Sequence, residues 1–315
     1  MLKGLALTPP VIGRISIGRV VEKNGRRLPE KDDEFTITSQ VQNRDGWVNH
    51  PVDELLRKGA SAKLRSIPVR LLFDDPDLSL RANYTMFDRS TGRPLCVGDG
   101  ESCKRMTLSG MQSFVCPAPA GCDLAAGGNC KPYGRLHVRV DVDEDAGGVD
   151  ELGSFVFRTT GFNSIRTLSA RLHYLHAVSG GLLATLPLEL RLRGKSTTLS
   201  HRTPIYYVDM TVRQGTSLSD AVQAAKALRQ EQEAVGLHQL ALDGAARQGL
   251  ALGEFEDSEE DGADVLEEFY PIQEETQDYG DREPDARQAG KSVLAAKLRQ
   301  RAAKSPVAAN LENTR

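Results

Sequence analysis

The sequence predicts an α+β, strand-dominated domain with one main helix, followed by a second helix and a largely disordered tail that is first acidic and then basic. Three observations carry this. Apolar residues recur at period two across much of the first 212 positions, a three- and four-residue apolar period stands out once within that stretch, and charge is segregated toward the C-terminal quarter. The implied organisation is a β-rich core over residues 1–215, a helical extension over 216–253, and a tail over 254–315.

The strands come in order. Ile12-Gly-Arg-Ile-Ser-Ile-Gly-Arg-Val-Val alternates, and Lys23-Asn24-Gly25 supplies the Asn-Gly pair of a tight turn. Glu34 to Thr38 continues as a β-rich run, and Pro51-Val-Asp-Glu-Leu-Leu-Arg reads as a short helix with Pro51 in its first turn. Ser66 to Phe73 and Leu80 to Phe87 are strands separated by Asp74-Asp75-Pro76-Asp77, which is turn chemistry. Arg135 to Val142 and Phe155 to Thr160 follow. Asn163 or Ser164 then caps a helix running to about Val178, with Ile165, Leu168, Leu172 and Leu175 on its buried face. Leu188 to Gly194 pairs with Ile205 to Val212, and the packed domain ends near Val212. Ser219 opens an Ala/Gln/Leu-rich helix through about Leu242.

The hydrophobic fraction of 39% and aromatic fraction of 5% over 315 residues imply that part of the chain is not core. The net charge of −3 conceals a segregation: residues 254–285 carry 15 acids and one Arg, residues 286–315 carry 7 bases and 1 acid, and the remainder is +5. So acidic a strip, poor in apolar residues, is expected to be disordered. Residues 292–304 place Val293, Leu294 and Leu298 among Lys297, Arg299 and Arg301, a short helix expected to fold on a partner. No apolar run approaches the roughly 18 residues of a membrane span. The N-terminal apolar stretch is short and lacks a cleavage site, so a cytoplasmic protein is expected. Cysteines in that reducing compartment are metal ligands or free thiols rather than disulfides.

All five cysteines, Cys96, Cys103, Cys116, Cys122 and Cys130, fall within 35 residues, interspersed with Gly98, Gly100, Pro117, Pro119, Gly121, Gly127 and Gly128. Such a composition builds no hydrophobic core. A structural Zn2+ held by four thiolates would order it, contributing about 10–16 kcal/mol of apparent binding energy. The expected zinc loop spans 94–132, with Cys96, Cys116, Cys122 and Cys130 as ligands and Cys103 as alternate. No C-x-x-C pair is present, and the competing reading is a set of unrelated reduced cysteines. A catalytic zinc would want histidine and an open position, and the nearest candidate is His137 in the following strand.

Other motifs carry less. Gly194-Lys195-Ser196-Thr197 resembles the end of a phosphate loop, but Glu189 stands where that loop needs its first glycine, so a basic hairpin tip is the better reading. His173 and His176 lack a third ligand and read as solvent-facing. Asp141, Asp143, Glu144 and Asp145 lack EF-hand spacing and read as a solvated turn. No catalytic constellation is found, so no enzyme activity is expected. Arg158, Arg166, Arg171, Arg191, Arg193, Lys195 and Arg202, with Tyr206 and Tyr207 nearby, are candidates for nucleic-acid or partner contact, against the plainer reading of solvated strand-edge arginines.

Pro94-Leu-Cys96-Val-Gly-Asp-Gly, then Cys116-Pro, Cys122 and Cys130-Lys-Pro-Tyr-Gly-Arg-Leu-His-Val, then Phe155-Val-Phe-Arg-Thr-Thr-Gly-Phe-Asn-Ser-Ile and Leu186-Pro-Leu-Glu-Leu, resemble in order and kind the phage-type recombination directionality factors that partner large serine integrases. They also resemble a related mobile-element group labelled hydrolase or metal-binding protein. The resemblance covers roughly residues 1–212. It implies a β-rich fold with a cysteine-bound metal, and a non-catalytic accessory role in which binding to a recombinase or integrase turns recombination from integration to excision. Cys103 and the acidic-then-basic tail depart from the pattern. Two alternatives follow: a DNA-binding or single-strand annealing protein of element replication, and a metal-dependent hydrolase. No membrane partner and no small-molecule substrate are inferred.

Overall fold

The computed structural model describes residues 10–23, 26–43, 46–57, 62–142, 153–196, 204–252, 265–266 and 269–270. The strands are β1 (Val11–Lys23), β2 (Arg26–Asn43), β3 (Gly46–Asn49), β4 (Ser66–Leu71), β5 (Leu80–Phe87), β6 (Pro94–Gly98), β7 (Ser102–Thr107), β8 (Gly110–Val115), β9 (Cys130–Val140), β10 (Ser154–Thr159), β11 (Leu188–Lys195) and β12 (Ile205–Val212), of which β3 and β6 to β8 were not expected. The helices are α1 (Pro51–Leu56), α2 (Pro76–Ser79), α3 (Ala118–Gly121), α4 (Phe162–Ser179), α5 (Leu218–Ala234) and α6 (Gln239–Leu252). The predicted strand-rich α+β class is therefore what the chain adopts.

One mixed sheet joins the strands in the order β3-β2-β1-β10-β9-β5-β6-β7-β8, with β4, β11 and β12 branching from it. The branch point is β9. Its first half pairs β5, from Met86 opposite Cys130 to Leu80 opposite Leu136. Its second half pairs β4, from Leu71 opposite Val138 to Val69 opposite Val140. Two arms thus leave the same edge of β9 in succession: β5-β6-β7-β8, and β4-β11-β12. The β1–β10 pair is parallel, Val11 opposite Ser154, and the other pairings are antiparallel.

The predicted helix lies against this sheet. Ile165, Leu168, Leu172 and Leu175 of α4 are buried with Phe155, Phe157, Leu136, Leu188 and Met210. Each such side chain removed from water contributes on the order of 1.5–3 kcal/mol. Gly134 on β9 permits this approach, since a Cβ there would stand 2.9 Å from Ile165 Cγ1. Helix initiation differs from expectation. Gly161 is the cap residue, without a side-chain cap, and Ser164 instead turns inward so that its Oγ accepts Val208 N–H of β12 at 3.1 Å. A hydroxyl that bridges to a strand is unavailable for its own helix.

Three further expectations change. Asp74–Asp77 is not a plain turn: Asp75 caps the single-turn helix α2, accepting Asp77 N–H. The helix expected from Ser219 to Leu242 is two helices. Ser217 caps α5, and the chain turns at Val235–His238 before α6. Both pack back on the core: Ala221 and Ala225 join the main hydrophobic cluster, and Ala246 joins Leu72, Phe73 and Leu78. Within the acidic strip, Val265, Leu266, Phe269 and Tyr270 are ordered against the sheet. The Asn24-Gly25 turn, Asp143, Glu144 and Asp145, Thr197 and Arg202, and the 292–304 segment lie outside the described residues.

Candidate functional site

The cysteine segment is mostly sheet rather than loop. Asp99 Oδ1 accepts the Glu101 and Ser102 amides at 2.8 and 2.7 Å, closing the β6–β7 turn, and Leu108-Ser109 closes β7–β8. Pairing then decides which thiols meet. Met86 of β5 is opposite Cys130 on one side and Cys96 on the other, and Gly98 of β6 is opposite Cys103. Directly paired residues share a face, so Cys96, Cys103 and Cys130 all project from the same side of the arm. Cys116 arrives at the end of β8, where its N–H donates to Glu101 O at 2.8 Å. Cys122 sits between α3 and the 3-10 turn that begins at Asp123.

The five thiols are free and form one electrostatic neighbourhood. Burial, with the neighbouring thiols Cys96, Cys116, Cys122 and Cys103 behind it, pushes the Cys130 thiol up to about 11. Burial and a hydrogen bond with Cys96 push Cys103 to about 11 as well. Gly98 makes room for them: a Cβ there would fall 2.6 Å from Cys103 Cβ and 3.0 Å from Cys116 Sγ. The Arg105 guanidinium, opposite Cys96 in the β6–β7 pairing, donates to Cys103 Sγ at 4.0 Å. Soft donors in excess, a space only glycine leaves, and a neighbouring cation suit a thiolate-bound metal. Among the described residues, no three Cys, His, Asp or Glu side chains form a ready coordination set.

The arm also exposes apolar side chains. Met106, Leu108, Met111, Phe114 and Val115 face solvent along β7–β8, and no described strand pairs the outer edge of β8. An uncovered edge with apolar side chains is the ordinary substrate of protein–protein contact.

Four predicted contact residues converge elsewhere. Arg191, Arg193 and Lys195 share one face of β11 with Glu189, opposite Asp209, Tyr207, Ile205 and Thr211 respectively. Arg171 reaches them from α4, donating to Asp209 Oδ1 at 3.0 Å, while Arg193 donates to Oδ2 at 3.3 Å. Arg191 pairs with Glu189, and Lys195 Nζ donates to Asn163 Oδ1 at 2.8 Å with its charge over the Tyr207 ring. The face therefore gathers four bases around two buried acids. Arg166 is exposed on α4, and Arg158 lies on β10 opposite Arg135. An open cleft of about 370 Å³ beside this face is lined by Asp33, Arg65, Lys195, Ser196 and Tyr206 among others.

The remaining candidates separate. His173 is exposed on α4, where its Nδ1–H donates to Ser169 O at 2.9 Å and its Nε2 is 4.0 Å from Asp77 Oδ1. Asp141 pairs with Arg70 and Arg213 at 2.8 and 2.5 Å. No helix among the described residues is long and apolar enough to cross a membrane.

The site is thus a branched sheet with a thiol-rich arm and an exposed apolar edge. A family model described as recombination directionality factor-like (Gp3-like) matches residues 12–213, from β1 to the end of β12. The chain belongs to this family, and its role is in recombination control. Comparison with curated proteins and with solved structures gave no match.

Proposed function

We propose that the chain is a non-catalytic accessory protein of a phage or integrative mobile element that sets the direction of recombination by contacting a recombinase, with a structural Zn2+ holding the contact arm. The observation that supports this best is the placement of the exposed β7–β8 edge directly on the thiol cluster. Cys96, Cys116, Cys122 and Cys130 would hold the metal, with Cys103 as alternate. The metal would supply cross-linking and charge neutralisation there, nothing more. Gly98 admits the thiols, Arg105 balances their charge, and Asp99 fixes the turn that aligns β6 with β7.

The deciding experiment is recombination in vitro with the recombinase of the same element, on integrative and excisive site pairs. The chain should suppress the first reaction and enable the second. Unchanged product in both directions would refute the reading.

A second reading is favoured by the convergence of Arg171, Arg191, Arg193 and Lys195: direct DNA contact through that face. It calls for binding that weakens steeply with salt in the absence of any recombinase.

A further inference from the structure

Val265, Leu266, Phe269 and Tyr270 stand outside the family-matched region, yet they pack on the sheet. Val265 and Phe269 are wholly buried, in a cluster with Phe87 at the end of β5 and Tyr133 of β9. Phe269 meets Phe87 edge-on with ring centroids 4.9 Å apart, and Tyr133 at 5.9 Å. Such edge-to-face pairs add roughly 0.5–1.5 kcal/mol each beyond the area they bury.

The polar contacts are equally specific. Lys131 Nζ donates to Phe269 O at 2.9 Å and lies 5.4 and 5.2 Å from the Phe269 and Tyr270 rings. Arg89 stacks over the Tyr270 ring at 4.3 Å. Tyr270 Oη donates to Asn129 O at 2.9 Å, and Tyr270 N–H closes a turn onto Leu266 O at 2.8 Å. The receiving surface is thus two aromatic rings rimmed by two cations. The incoming sequence, Asp264-Val-Leu-Glu-Glu-Phe-Tyr, is two adjacent aromatics among acids. Ring fits ring, and the segment's acids are opposite in sign to the two cations of the rim.

We propose that the face formed by Phe87, Arg89, Lys131 and Tyr133 is a binding site for a short acidic peptide bearing two adjacent aromatic residues, that Val265, Leu266, Phe269 and Tyr270 occupy it as part of a tethered ligand, and that this ligand exchanges with one presented in trans. This goes beyond the role proposed above and requires neither the metal nor the recombinase. Because Asn129 and Lys131 flank Cys130, occupancy of the site is adjacent to the thiol cluster.

The test uses the full chain and a fluorescent peptide of residues 262–272, read by anisotropy. Tethering through residues 253–264 gives the internal segment an effective concentration of order millimolar, so the unaltered chain should bind the peptide weakly. Full chain carrying Phe269→Ala and Tyr270→Ala should bind at least about tenfold more tightly, and adding Lys131→Glu should remove that gain. Equal binding by the unaltered and doubly substituted chains, or indifference to Lys131→Glu, would overturn the proposal. A second measurement needs no variant. Excess unlabelled peptide added to the unaltered chain should speed chymotryptic cleavage at Phe269 and Tyr270 severalfold, whereas a peptide with both aromatics replaced by Ala should not. Cleavage unaffected by either peptide would overturn exchange.

Discussion

Arg229 of α5 places one guanidinium nitrogen 2.9 and 2.8 Å from the two carboxylate oxygens of Asp74, which follows β4 and also accepts Ala184 N–H at 2.9 Å. The pair fastens a helix beyond the family-matched stretch to the core within it, and both side chains are nearly out of solvent. Removing one member leaves a buried, uncompensated charge. Arg229→Met should therefore destabilise the chain by about 3 kcal/mol in denaturant unfolding. Substituting both residues, Arg229→Met with Asp74→Asn, should recover much of that loss.

Protein purified without added metal should carry about one zinc per chain. Chelation should lower the melting temperature by at least about 5 °C, because each kcal/mol shifts a domain of this size by roughly 2–4 °C. Gly98→Ala should reduce zinc content as well, since its Cβ would collide with Cys103 Cβ. Metal analysis paired with melting curves checks both. Zinc-free protein whose melting ignores chelation would reduce the cysteines to packed thiols.

Leu108 stands at the tip of the β7–β8 hairpin, fully in solvent. Leu108→Glu should change stability by no more than about 0.5 kcal/mol. Recombinase binding should nevertheless weaken by tenfold or more if this edge is the contact, as expected for a central apolar anchor (about 1.4 kcal/mol per decade). Surface plasmon resonance against the same element's recombinase would measure it.

His50 caps α1 through Nδ1, which accepts Val52 N–H at 3.2 Å, and its ring meets Phe155 edge-on. Burial lowers its pKa below the ordinary 6.5. The unfolded chain thus takes up a proton at a higher pH than the folded one. The stability involved is present above about pH 6.5 and is lost as pH falls through the folded value. His50→Asn keeps an oxygen cap and removes the titration. Its melting temperature should fall less than that of the unaltered chain between pH 7.5 and 5.5.

What could be read from the residues follows from burial. Strands β4, β5, β9 and β11 and helix α4 announce themselves because one face of each enters the core, which imposes a period on the sequence. Strands β6 to β8 carry no such mark: β8 is exposed along nearly its whole length, so nothing forces its residues to alternate. Their order comes from strand pairing that a Gly- and Pro-rich composition hides. The clustering of thiols was legible from spacing alone, whereas the roles of Gly98 and Arg105 depend on register. Residues 265–270 were unreadable for another reason. Six residues are too few for a periodic signal, and the burial of Val265 and Phe269 depends on Phe87 and Tyr133, more than a hundred positions earlier. The basic residues were visible as types, but Asp209 and Glu189, which bind Arg171, Arg193 and Arg191, sit in strands that read as ordinary alternation.

The parallel pairing of β1 with β10 bears on the order in which the chain acquires its shape. Val11 finds its neighbour at Ser154, so the pair β1 and β2, complete at Asn43, has no central sheet to join until about 110 further residues have been made. Contacts so distant in sequence form slowly, because a long loop must close before any interaction rewards the closure. During synthesis the first hairpin therefore waits with its apolar side uncovered. Ile15, Phe35 and Ile37, buried at the end, are the side chains that a nascent-chain chaperone would meet first.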